Sequence, residues 1–169
     1  MNFRSSLKSL FAVAAIFATA GLFALDSAWL TDFNAAKKAA KSKSLPILLC
    51  FSGSDWCGWC IKLDKEVFET PEFKAYAKEN LVLLNADFPH KKKLPSSLAR
   101  QNEDLVKKFN VEGFPSVVIL DADGKLLVDG LGYQKGGGTA YVEMLKSKIP
   151  ETKKAAKKDA TATAKTDAK

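Results

Sequence analysis

Apolar and polar positions follow two rhythms between about residues 30 and 150, and each change of rhythm marks an element. Thr31 or Asp32 can cap a helix over Phe33 to about Lys41. Leu45 to Ser52 is nearly continuous in apolar character, which predicts a strand buried on both faces. Ile61 to Phe68 has helical spacing, and Thr70-Pro71 caps a continuation that puts Phe73, Tyr76 and Ala77 on one side. Leu81 to Phe88 is the second strand. His90 to Lys93 and Pro95-Ser96-Ser97 read as polar loop, followed by a helix over about Asn102 to Phe109. Ser116 to Leu120 is the third strand, and Asp121-Ala122-Asp123-Gly124 turns it into a fourth over Lys125 to Val128. Thr139 to Ile149 carries Tyr141, Met144, Leu145 and Ile149 at helical spacing and stops at Pro150.

The order is helix, strand, helix, strand, helix, strand, strand, helix. Two strand–helix–strand crossovers predict parallel pairing, and the short Asp-Gly turn predicts an antiparallel hairpin. The expected architecture is α/β, a mixed four-stranded sheet with helices on both faces. There is no internal repeat, and residues 25–150 suit one domain with a single core.

The ends of the chain follow neither rhythm. Arg4 and Lys8 precede an uncharged run from Leu10 to Leu25, with Ala18-Thr19-Ala20 as a small-residue cleavage site. That run is shorter than the roughly 18–20 residues a spanning helix needs, so residues 1–24 read as a signal peptide. The alternative is an uncleaved segment that anchors the protein to the inner membrane. Export implies a periplasmic or otherwise extracytoplasmic location, where disulfides persist. Residues 151–169 are almost entirely Lys, Ala, Thr and Asp, with no side chain large enough to build a core, and read as a disordered tail. Six lysines against three acids in this tail, with Arg4 and Lys8, leave only +2 of the formal +7 for the rest of the chain. The basic balance is therefore no argument for nucleic-acid binding.

The chemistry concentrates in Trp56-Cys57-Gly58-Trp59-Cys60. Two thiols three residues apart, between a strand and a helix, put the first sulfur at a helix N-terminus. Unpaired N–H groups and the macrodipole there favour thiolate. The second sulfur lies one turn in, within reach of a mixed disulfide formed by the first. Far downstream, Gly113-Phe114-Pro115 precedes the third strand. With these residues the stretch from about Trp29 to about Ile149 resembles the thioredoxin superfamily, in particular its secreted bacterial thioredoxin-like branch.

The resemblance implies the thioredoxin-like fold and a protein-disulfide oxidoreductase, with Cys57 as the exposed nucleophile and Cys60 as the buried resolving thiol. It further implies that Pro115 is cis and packs on the motif, presenting the backbone of Phe114 to a bound peptide. Trp56 and Trp59 flank the thiols and are expected to border the substrate surface. Trp59 is neither the Pro of reducing thioredoxins nor the His of oxidases and isomerases, so the redox direction does not carry over. The family's buried acid, on the strand before the motif, is replaced by Cys50. Asp55 and Glu66 are the candidate substitutes, and Cys50 itself reads as a small core residue.

His90, beside three lysines, reads as a solvated loop residue rather than a metal ligand. Gly136-Gly137-Gly138 reads as a flexible entry to the last helix rather than a phosphate cradle. No cofactor or metal is expected. The expected partners are cysteine-containing client proteins and an upstream thiol–disulfide donor, for a monomer that meets a membrane only if its signal stays uncleaved. Two other readings compete. One is a binding module with a structural disulfide or metal half-site. The other is a membrane-tethered maturation factor with one dedicated client.

Overall fold

Asp32 caps the first helix, its carboxylate accepting the Ala35 N–H at 2.6 Å. The structure, a computed structural model, describes residues 29–149, so the signal and tail readings lie outside the described residues. Helix α1 (Phe33–Lys43) leads to β1 (Ile47–Ser52), every residue of which is buried. Helix α2 (Gly58–Leu63) runs into a π-helical turn over Asp64–Phe68. Thr70 then caps α3 (Pro71–Asn80), with Pro71 in its first turn where a missing N–H costs nothing. Strand β2 (Val82–Asp87), helix α4 (Ser96–Lys108), strands β3 (Ser116–Leu120) and β4 (Leu126–Leu131), and helix α5 (residues 137–149) complete the order.

The strands lie in the order β2-β1-β3-β4. Strand β1 pairs parallel with β2, Cys50 opposite Asn85, and antiparallel with β3, Phe51 opposite Ser116. The first crossover is thus parallel as expected, and the second is not. The chain leaves β2 at Asp87, beside Ser52 at the end of β1, and enters β3 at Ser116, beside Phe51 at that same end. Because α4 returns the chain to the edge it left, β3 must run the other way.

Helix α4 also starts earlier than the apolar pattern indicated. Ser96 and Ser97 belong to its first turn after Pro95, and its buried face includes the polar Asn102, whose amide donates to the Asp87 carbonyl at 2.9 Å. A polar residue at a core position hides the helical period.

Alternation along β1 divides the interior into two layers. Leu48 and Cys50 face Leu63, Val67, Phe68, Phe73, Tyr141 and Leu145 of α2, the π turn, α3 and α5. Ile47, Leu49 and Phe51 face Ala36, Ala40 and Leu105 of α1 and α4. Helices therefore cover both faces. Helix α5 comes close to the cap of α3. A Cβ on Gly138 would run into the side chain of Thr70, so this glycine serves close packing inside the first turn rather than a flexible entry.

The two outer edges of the sheet are treated differently. Leu30 bridges to β2, its N–H bonding the Leu83 carbonyl at 2.9 Å and its carbonyl accepting the Asn85 N–H at 2.8 Å. The β3–β4 ladder carries register shifts, and Gly130 in β4 has φ +66°.

Candidate active site

The motif occupies the junction that the strand–helix order predicts. Cys57 is the N-cap of α2, and its sulfur accepts the Cys60 N–H at 3.2 Å. Cys57 and Cys60 form a disulfide, and the Gly53 N–H points at the Cys60 sulfur at 3.5 Å. Two backbone donors thus address the sulfur pair, the arrangement that favours negative charge there once the bond is opened. In this oxidised state Cys57 is 7% exposed and Cys60 5%. The expected contrast in exposure is therefore nearly absent. What separates the two positions is the helix terminus.

The loop before the motif is fastened by side chains that pattern reasoning passed over. Asp87, at the end of β2, accepts from the Ser54 N–H at 2.9 Å and the Ser54 hydroxyl at 2.7 Å, and Lys92 pairs with it at 3.5 Å. The Asp55 carboxylate accepts the N–H groups of His90 and Lys91 at 2.9 and 2.8 Å. Those donors, His90 first, hold its carboxyl below the usual carboxylate range. They also bring the His90 ring over Trp56, centroids 4.5 Å apart and planes 7° apart. His90 is exposed, as a loop residue should be, but it is stacked beside the motif rather than merely solvated.

Trp56 is held from three further sides. Its Nε1–H donates to the Phe88 carbonyl at 2.7 Å, and Phe114 lies 6.2 Å away between ring centroids. Its indole lies against the α-carbon of Gly53, so any side chain at that position would collide with it. Trp59 sits on the other flank with Tyr133 at 5.4 Å, and Lys62 lies over both rings. Trp56 is 44% exposed and Trp59 58%, so the disulfide is framed by aromatic surface. Phe114 joins Pro115 through a cis peptide bond at the start of β3, next to the end of β1. Trp56 and Phe114 are thereby brought together, with Trp59 on the opposite flank.

The candidate acids fall elsewhere. Asp55 is spent on the His90–Lys91 loop, and Glu66 accepts the Tyr133 hydroxyl proton and lies 3.9 Å from Lys62. Neither lines the space beside Cys60. Cys50 is buried in β1 as expected, and burial, aided by Asp64 and Asp87, pushes its thiol up to about 12. Among the described residues no group of three or more His, Cys, Asp or Glu is placed to hold a metal ion. No helix among them is long and apolar enough to cross a membrane.

A model of the thioredoxin-like domain matches residues 33–146. The chain belongs to the thioredoxin-like family. Within that family it is similar to "Disulfide bond reductase DsbH" of Chlamydia pneumoniae, 39% identical over 118 residues that cover 70% of each chain. It is also similar to "Thioredoxin-related protein DsbJ" of the same organism, 32% identical over 69% of this chain but only 36% of that longer protein. The solved structure "DsbH Oxidoreductase" superposes with a TM-score of 0.68 at 37% identity, over 75% of this chain and 89% of that one. A thioredoxin-like domain with a Cys57–Cys60 disulfide at a helix N-terminus is built for thiol–disulfide exchange, and the protein is an oxidoreductase of that type.

Proposed function

We propose that the protein is an exported protein-disulfide reductase, in which Cys57 attacks a client disulfide and Cys60 resolves the mixed disulfide. The observation that carries this reading is the Cys57–Cys60 bond at the cap of α2, in a chain 39% identical to a protein named as a disulfide bond reductase. Cys57 attacks because its sulfur terminates the helix and already accepts the Cys60 N–H. Cys60 follows because it lies one turn in, where it reaches only a sulfur attached to Cys57. Electrons then pass from the dithiol to the client, and an upstream dithiol donor restores the reduced pair. Clients are cysteine-containing proteins of the cell envelope, received against Trp56, Trp59, Phe114 and the backbone before Pro115. The uncharged run after Arg4 and Lys8 supports an extracytoplasmic location, with the protein working as a monomer.

Trapping in the envelope tests the roles. Cys60→Ser should accumulate mixed disulfides with clients and Cys57→Ser none, because only the first variant blocks the intramolecular exit. Equal adducts from both variants, or none from either, would speak for a binding module. The direction is read from the potential of the pair, expected toward the reducing end of the thioredoxin-fold range, about −270 mV, rather than the oxidising end, about −120 mV.

A further inference from the structure

Beside the disulfide lies a pocket of about 270 Å³, with Cys60, Cys50, Asp64, Ser52, Ser54 and Asn85 among its lining residues. Among the described residues that line it, Asp64 is the only carboxylate. Its backbone N–H bonds the Cys60 carbonyl, so the two side chains lie one helical turn apart on the same face. Trp29 and Phe68, packed with ring centroids 4.9 Å apart and planes tilted by 53°, supply an apolar wall. The space far exceeds the roughly 10–15 Å³ that one water needs, and hydroxyl and amide groups are there to hold it.

Resolution of a mixed disulfide poses a chemical problem here. Cys60 must attack as a thiolate, yet it is buried, and burial favours the neutral thiol. A proton acceptor within reach is required. Cys50 cannot serve at neutral pH, since its thiol is pushed up to about 12. Asp55 and Glu66 are turned to other partners. We propose that Asp64 takes the proton from Cys60 as it resolves the mixed disulfide and returns a proton to it when the pair is next reduced.

This inference rests on the roles proposed above for Cys57 and Cys60. In the resolving step the Cys60 S–H proton passes through the pocket to the Asp64 carboxylate. The Cys60 sulfur bonds to the Cys57 sulfur, the bond from Cys57 to the client sulfur breaks, and the client leaves as a thiolate. The dithiol is oxidised by two electrons and the client disulfide is reduced by the same two. In the return step an upstream thiolate attacks Cys57, Cys60 leaves as thiolate, and Asp64 supplies its proton.

The surroundings of Asp64 suit both directions. The residue is exposed at the rim of the pocket, so its proton can exchange with solvent. Its carboxyl stands above the ordinary carboxylate range, first through partial burial and then through Glu69, with Lys74 on α3 acting the other way. Among the described lining residues, Cys50 and Cys60 are the other titratable groups that face it across the pocket.

The test follows reduced full-length protein mixed with one equivalent of 5,5′-dithiobis(2-nitrobenzoate) in a stopped-flow instrument between pH 6 and 10. The first release of chromophore reports attack by Cys57, and the second, concentration-independent release reports resolution by Cys60. In the wild type the second phase should vary little between pH 6 and 8. In Asp64→Asn it should be slower by on the order of 10²-fold at pH 6–7 and rise about tenfold per pH unit toward the wild-type rate, with the first phase within twofold. Asp64→Glu should recover most of the loss. The proposal is overturned if Asp64→Asn follows the wild type at every pH, or if both phases slow alike at every pH. A wild-type second phase that itself rises tenfold per unit from pH 6 to 8 would overturn it without any variant. Absence of a second phase in the wild type would remove the resolving role of Cys60 and this proposal together.

Discussion

At the scale of single residues, the three cysteines of this chain have been given three different fates by their surroundings. Cys57 ends a helix and Cys60 borders a pocket, while Cys50 sits at the centre of the sheet with its thiol raised from the ordinary 9.0 to about 12. Since the unfolded chain releases the Cys50 proton at the lower value, the folded state binds more protons between those limits. Stability from this residue is therefore full below about pH 9 and is lost as pH rises toward 12. Cys50→Ala should flatten the alkaline arm of a stability–pH curve, by at most about 1.4 kcal/mol per pH unit, as measured by urea unfolding. An alkaline arm unchanged by the substitution would place Cys50 nearer water than the fold implies. The pairing of Cys57 with Cys60 at a helix start was legible because spacing along a helix is written in the sequence. Asp64 and His90 were not, because each acquires its place through space: one by bordering a pocket closed by Trp29 and Asn85, the other by Asp55 drawing a distant loop over Trp56.

Among the elements, those whose apolar period is unbroken were placed best. β1 and β3 are short apolar runs bounded by polar turns, and β3 has the expected limits of Ser116–Leu120. Helix α4 was cut short because Asn102 interrupts the apolar face, and the direction of β3 was missed because a helix between two strands does not say which end of the sheet it returns to. The glycine run before α5 shows the same gap between composition and packing. Gly138→Ala removes the roughly 1 kcal/mol helical penalty of glycine, which would favour the variant. Against this, the new Cβ overlaps Thr70, whose hydroxyl donates to the Val67 carbonyl at 2.7 Å and accepts the Phe73 N–H at 3.4 Å. Both the overpacking and the damaged cap are costly, so we expect a net loss of about 1–3 kcal/mol in chemical denaturation. A stabilised variant would mean that α5 can slide away from α3 freely.

For the whole molecule, residues 151–169 carry no aromatic or large aliphatic side chain that could extend either core layer. Removing residues 151–169 should therefore leave the melting temperature and insulin disulfide reduction unchanged within error, and a truncated chain that lost activity would assign the tail a part in client capture. The mixed sheet and its two helical layers were legible from the element order alone, since a buried strand needs cover on both faces. The asymmetry of its edges was not, because Leu30 precedes the first helix and gives no sign in sequence that it pairs with β2. That asymmetry bears on how such an enzyme survives its own clients. A protein caught between disulfide and dithiol is partly unfolded and offers unpaired backbone to any open strand. Here Leu30 occupies the middle of one border with two hydrogen bonds, and register shifts with a left-handed glycine break the regularity of the other. The sheet thus offers a half-folded visitor little regular backbone to extend by strand pairing.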